Sequence, residues 1–243
     1  MKNIYTLLSV LLISLTVYLS FDDLMPSSVK SIESTGFSFD NALNHLKVIS
    51  KEPHYTGSKY HQDVQNYIVN ELKKMGLETE IQNQVVLSSR RVGTNAANII
   101  GTIKGSRKGK SLVLLTHYDS SAHSSFGASD AGSGVVTILE GFRAFLLNNN
   151  TPVNDIHLVF TDAEEMGLLG AEAFVKNHKL IDNVGLVLNF EARGSGGPSY
   201  MLMETNGKNS KLISEFANAN SNFPAANSLM YSIYKMLPND TDL

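Results

Sequence analysis

The stretch 112–134, LVLLTHYDSSAHSSFGASDAGSG, decides how this chain folds. Its first four residues form an apolar run, the mark of a strand buried on both faces of a parallel sheet. The run ends in Thr116-His117-Tyr118-Asp119, and a polar loop rich in Ser and Gly follows, carrying Asp130. Gly132-Ser133-Gly134 then opens an amphipathic helix over 135–147, with Val135, Ile138, Leu139, Phe142, Phe145 and Leu146 on one stripe. Strand, polar loop and helix in that order form a βα unit, and such units bind ligands at the carboxyl ends of their strands.

Two later segments repeat the design. The apolar run 156–160 leads into Thr161-Asp162-Ala163-Glu164-Glu165, and the run 184–190 leads into Glu191. Three apolar strands therefore each end in a His or a carboxylate. Side by side, they gather His117, Asp119, Asp130, Glu164, Glu165 and Glu191 at one sheet edge. So many acids at the mouth of a core repel one another unless cations neutralise them. A metal site is the economical explanation. Each motif alone has a plainer reading: a strand-end His with a turn Asp, acids in the first turn of a helix, a helix-capping Asp130. Their co-occurrence at three strand ends carries the argument. His117 and Asp119, two apart, share a face of an extended backbone, so Asp119 is placed to orient the imidazole of a metal-binding His117. Glu164 and Glu165 are adjacent and diverge, so one can bind metal while the other takes a proton from water.

The rest of the chain sets the frame. Its 243 residues can bury one sizeable core, and 42% hydrophobic with 18% charged residues is the balance of an ordinary globular protein. A formal net charge of -3 gives no reason to expect nucleic acid as a partner. With no cysteine present, disulfides, thiolate zinc sites and Cys nucleophiles are excluded together, so any metal is held by His, Asp or Glu. Residues 4–21 are mostly apolar, with Lys2 before and Asp22-Asp23 after. At ~1.5 Å per residue they span roughly 27 Å, close to a bilayer's hydrocarbon core. The segment reads as a transmembrane signal-anchor with the remainder on the non-cytoplasmic side. A cleaved signal peptide, and so secretion, is the rival, although Tyr18-Leu19-Ser20 is a poor cleavage site. Residues 22–36 read as a linker and 37–243 as one α/β domain, three-layer α/β/α with a mixed, mostly parallel central sheet. Helices are expected over 39–49, from 59 to Gly76, after Glu165 and around Leu212-Phe216. Strands are expected over 77–87, 97–103 and 200–203. Six cations and no acid fall between Arg90 and Lys110, which reads as a solvated hairpin tip, with a lipid-headgroup contact as the other reading.

Five stretches together resemble a known family: THYDS (116–120), GASDAGSGV (127–135), FTDAEEMGLLGAEAF (160–174), NFEARGSGGPSYMLMET (189–205) and LPNDTDL (237–243). The chain is similar to the co-catalytic di-zinc aminopeptidases, the group of bacterial leucyl aminopeptidase and glutamate carboxypeptidase. It is especially like their membrane-anchored branch of the endoplasmic reticulum and vacuole. The resemblance implies a peptide substrate and two zinc ions. It implies His117 and Glu191 as ligands of one zinc, Asp130 as the bridging carboxylate and Glu165 as a ligand of the second. Asp119 becomes the orienting carboxylate and Glu164 the general base. The family pattern also has a His ligand beyond the NDTD motif, whereas all seven histidines here precede it. The chain accordingly reads as C-terminally truncated, with weak binding expected on the Glu165 side. His123, between His117 and Asp130, reads as a loop or substrate-pocket residue rather than a replacement ligand.

Other classes fit less well. Ser133 and Ser195 sit among glycines but not in the G-x-S-x-G spacing of a serine hydrolase, and no nucleotide-binding fingerprint follows a strand. The serious alternative is an inactive fragment, or a receptor-like or interaction domain of the same fold. Cyclisation of N-terminal glutamine on a one-zinc relative is the third reading.

Overall fold

The computed structural model describes residues 2–24, 36–88, 91–123, 125–191, 210–219, 232, 235–236 and 241–242. The chain divides into two compact units, one of residues 1–29 and 195–239, the other of residues 30–194 and 240–243. In the first unit, helix α1 (Lys2–Leu24) carries Ile4–Phe21, whose mean hydropathy is 2.0 and whose residues are all exposed. A helix that buries none of its apolar surface is not a core helix. By length and composition it can cross a membrane.

The second unit starts with α2 (Phe39–Ile49) and α3 (Lys59–Lys74). Ser38 caps α2, its hydroxyl accepting the Asn41 N–H. On α3, Val64, Ile68 and Leu72 recur every four residues and are fully buried. Gly76, at φ +79°, turns the chain out of the helix where an L side chain would be strained. There follow β1 (Glu78–Leu87), β2 (Gly93–Ile103), β3 (Ser111–His117), α4 (Gly132–Leu147), β4 (Ile156–Thr161), α5 (Leu169–Asn177), a short 3-10 helix (Lys179–Asn183) and β5 (Val184–Asn189).

The five strands form one sheet in the order β1-β2-β4-β3-β5. β2 pairs antiparallel with β1 and β4, while β3 pairs parallel with β4 and β5, so β2 alone runs against the rest. This is the mixed, mostly parallel sheet expected. Its two faces are sorted by strand alternation. Leu158 and Phe160 of β4, with Ile99, pack under α2, α3 and α4. Val159 points the other way, with Ile100, Val113 and Leu115, against Phe174 of α5. The result is three layers, α/β/α. Each of these fully buried large side chains contributes about 1.5–3 kcal/mol.

Two features differ from the sequence reading. β2 and β3 are not hairpin partners, because β4 lies between them. The cations at 104–110 therefore belong to a crossover loop at the amino end of β3, while Arg91 lies in the true β1–β2 hairpin. And β2 begins at Gly93, four residues before the expected 97, because the hairpin register runs on to Leu87↔Gly93. In the first unit, α6 (Ser210–Asn218) forms where the helical period predicts, with Leu212 and Phe216 half-buried. The strand expected at 200–203 lies outside the described residues.

Candidate metal centre

β3 lies between β4 and β5, so the three acid-bearing segments leave neighbouring strands at one edge of the sheet. His117 closes β3 opposite Thr161, the last residue of β4. Tyr118 turns into the core, where its hydroxyl donates to the Ala97 carbonyl at 3.0 Å and its ring stacks on His61 at 5.0 Å. That alternation sends His117 and Asp119 to the same side, both almost fully buried.

The imidazole is the hub of the site. Its Nε2 lies 3.0 Å from Asp130 Oδ1, 3.4 Å from Glu191 Oε1 and 3.9 Å from Glu164 Oε2. One ligand atom each from His117, Asp130 and Glu191 falls within 4.8 Å of the others, a spacing one cation can bridge. Asp130 does not cap α4: the cap residue is Ala131 and makes no side-chain bond, while the Asp130 carboxylate faces His117. Nor do Glu164 and Glu165 sit in a first helical turn, since α5 starts only at Leu169. Glu165 is exposed, outside the three-residue group but close enough to Asp130 for charge repulsion. His123 is exposed and belongs to no ligand group among the described residues.

Asp119 works through more than its carboxylate. His117 Nδ1 lies 3.0 Å from the Asp119 carbonyl oxygen and 3.4 Å from its Oδ1. The carboxylate itself accepts the Glu164 N–H at 3.0 Å and the Glu165 N–H at 3.3 Å. One residue thereby orients the imidazole and fixes the backbone of the glutamate pair.

The charges are frustrated without a cation. Burial, reinforced by Asp242, Glu191 and Asp119 against a counteracting His117, raises the Glu164 carboxyl from 4.5 to about 8. Burial and then Asp130 raise Glu165. Burial lifts Asp242 from 3.8 to about 6. Burial opposes the charged form of His117, but bonds to Asp119, Asp130 and Glu191 outweigh it and push the imidazole well above 6.5.

Two residues in this neighbourhood went unassigned in the sequence. Asp242 Oδ2 accepts the Thr161 hydroxyl, while its Oδ1 is buried without a hydrogen bond. A buried, half-satisfied carboxylate beside an acid cluster is the environment a cation completes. The NDTD motif was the signal for it. Asp162, fully buried, accepts from His61 Nε2 (2.8 Å), Thr56 Oγ1 (2.9 Å), Ala97 N–H (2.9 Å) and Ala163 N–H (2.7 Å). It ties loop 53–58, α3 and β2 to the turn that presents Glu164. Ala163 in that turn has φ +57°, a left-handed conformation that Ala adopts at a cost of about 1–2 kcal/mol. Nothing in the sequence beyond its place two residues before Glu164 marked Asp162.

Imidazole plus carboxylates is a donor set suited to zinc, and residues 98–243 match the profile of peptidase family M28. The chain belongs to that family. It is 30% identical over 197 residues to the vacuolar membrane protease of Schizosaccharomyces pombe, covering 75% of this chain and 22% of that protein. The chain thus spans about a fifth of the length of the curated relatives it matches. Among solved structures, a glutaminyl cyclase of Tannerella forsythia superposes with a TM-score of 0.58 at 25% identity, covering 68% of this chain and 65% of that one. A Zn-dependent exopeptidase of Parabacteroides distasonis superposes with a TM-score of 0.51 at 25% identity, covering 59% and 57%. Membership of M28 agrees with the resemblance read from the five sequence stretches.

Proposed function

We propose that this M28 chain is a zinc-dependent exopeptidase of the aminopeptidase type, acting on peptides. The observation that carries the reading is the meeting of His117, Asp130 and Glu191 with Glu164 3.9 Å from the same imidazole nitrogen. His117, Asp130 and Glu191 hold one zinc in this reading, and Asp130 with Glu165 a second. When bound, zinc polarises the scissile carbonyl and acidifies water. Glu164 takes a proton from the attacking water as its oxygen bonds to the carbonyl carbon, then passes that proton to the departing amine nitrogen as the C–N bond breaks. A base must be ionised, and Glu164 at about 8 is largely protonated at neutral pH, so a neighbouring cation is what makes it competent. Asp119 keeps His117 and the Glu164 backbone in register throughout.

Three parts of the sequence are read accordingly: α1 as a membrane anchor or signal segment, residues 22–36 as a linker, and the remainder as the peptidase domain on the non-cytoplasmic side. The vacuolar membrane proteases among its relatives favour the anchored arrangement. The test is turnover of aminoacyl-arylamides by the zinc-loaded chain, with Glu164→Gln as control. Hydrolysis that disappears in the variant supports the reading. Pyroglutamate formation from an N-terminal glutamine peptide instead would make the chain a cyclase. A chain that folds but retains no zinc would make it a non-catalytic relative.

A further inference from the structure

The loop 104–110 is a basic sequence feature that the metal centre does not use. It joins β2 to β3 at the amino end of β3, and β3 ends seven residues on at His117, so loop and metal centre lie at opposite ends of the sheet, ~20 Å apart. The loop is firmly built. Ser106 and Arg107 donate their N–H groups to the Pro152 and Val153 carbonyls at 2.9 Å each. Asn154 Nδ2 donates to the Lys110 carbonyl at 2.7 Å and Asn183 Nδ2 to the Gly109 carbonyl at 2.8 Å.

Its charge is uneven. Lys104 Nζ pairs with Asp155 at 3.1 Å, and Lys110 Nζ donates to the Asp182 carbonyl. Arg107 and Lys108 are exposed and form no ion pair among the described residues. They border an open groove of about 660 Å³. Val153, whose carbonyl accepts the Arg107 N–H, is 56% exposed.

The course of the chain points the same way. The residues that lead into α2 are pinned to α4: Ser38 N–H donates to Glu140 Oε1 at 2.6 Å, and Arg143 Nη2 donates to the Gly36 carbonyl at 2.8 Å. α4 starts beside the metal centre and runs away from it, and Arg143 lies one turn from its last residue, Leu147. The linker therefore joins the domain on the half facing the basic loop. Only residues 22–35 separate Ile4–Phe21 from Gly36, at most ~50 Å of extended chain.

We propose that loop 104–110 docks on the anionic phosphate headgroups of the bilayer that α1 enters, turning the metal centre away from the membrane toward soluble peptides. The proposal rests on the reading of α1 as an anchor. The chain has no cysteine, so single Ser106→Cys and Ala122→Cys variants, one at each end of the sheet, accept a fluorophore without background labelling. Each full-length labelled chain is reconstituted in phosphatidylcholine vesicles, with or without phosphatidylserine, carrying a headgroup quencher. The expected result is strong quenching at position 106 in anionic vesicles only, weak quenching at 122, and loss of the effect at high salt. At about fivefold per cation, Arg107→Ala/Lys108→Ala lowers the docked-to-free ratio on the order of 25-fold. Both side chains are exposed and unbonded, and an unchanged circular dichroism melt checks that the fold is retained. Equal quenching at both positions, indifference to phosphatidylserine, or indifference to the double substitution overturns the proposal. So does inorganic phosphate that shifts the 106 signal without vesicles, which makes the loop a site for soluble phosphate. A chain that fails to float with either vesicle type refutes the anchor itself, an outcome distinct from floating without quenching.

Discussion

Stripping the metal from this chain should make its stability fall as pH rises, and zinc should reverse the trend. Glu164, His117 and Asp242 all hold protons more tightly in the folded chain than unfolded. Each contribution is complete below the unfolded pKa and is lost as pH rises through the folded value. Asp242, at about 6, has given up most of its share by neutrality. Glu164, at about 8 with a side chain only 14% exposed, loses its share later. From about pH 6 to about pH 8 that one carboxyl removes about 2 kcal/mol, and His117 acts in the same direction. For a unit of this size the melting temperature drops by roughly 4–8 °C over that interval. Zinc displaces the protons, so its stabilising effect grows over the same window. The assay is a thermal melt of the metal-free and zinc-loaded chain across that range, with Glu164→Gln alongside. The variant should lose about 2 kcal/mol of the pH dependence. A metal-free melting temperature that stays level or rises with pH, or zinc that stabilises equally at both ends, would refute the convergence of charge on which the metal centre rests.

Five substitutions test the remaining geometry. Glu164→Gln should retain zinc and lose at least 10²-fold in turnover, whereas Glu165→Gln should lower zinc content, read by metal analysis and arylamide hydrolysis. Asp162→Asn keeps the shape but weakens acceptance from four donors, and should cost about 2–4 kcal/mol in denaturant unfolding. Gly134→Ala places a methyl 2.5 Å from the Phe190 carbonyl oxygen, and should weaken zinc binding by displacing Glu191, as seen in zinc titration. Gly170→Ala drives a methyl to 2.5 Å from Asn98 Oδ1 and 2.7 Å from the Asp162 nitrogen, and should destabilise the chain by at least 2 kcal/mol in the same unfolding assay.

The strands that build the site were legible because apolar residues dominate their runs: 112–115 is apolar throughout, 156–160 is broken only by His157 and 184–190 only by Gly185 and Asn189, and a His or carboxylate lies just beyond each. Strand order was legible only by inference from the acids themselves. The β2–β4 pairing was not, because the two strands are separated by more than fifty residues and no local signal marks their register. That hidden pairing is why the cations at 104–110 read as a hairpin tip. Asp162 escaped notice for a related reason. Its partners His61, Thr56 and Ala97 come from three distant parts of the chain, so its role exists only once the sheet is closed. Asp242 stood inside a quoted motif, but what distinguishes it, an unsatisfied buried oxygen, is a property of packing.

The sheet also separates charge along its strands, which bears on how the domain meets a surface. The carboxyl end of β3 gathers Asp119, Asp130, Glu164, Glu191 and Asp242 around one imidazole, while the amino end carries Arg107 and Lys108 with no acid bonded to either. With its acids ionised, the first end is repelled by an anionic bilayer as the second is drawn to it, so both forces turn the domain the same way. Cations bound at the metal centre cancel the repulsive half and leave the attractive half intact. Docking through loop 104–110 should therefore persist in the zinc-loaded chain and respond to salt, whereas orientation driven by the acids alone would vanish on metal binding. Comparing quenching at position 106 with and without zinc separates the two: an effect that disappears with zinc belongs to the acid cluster, and one that remains belongs to the loop.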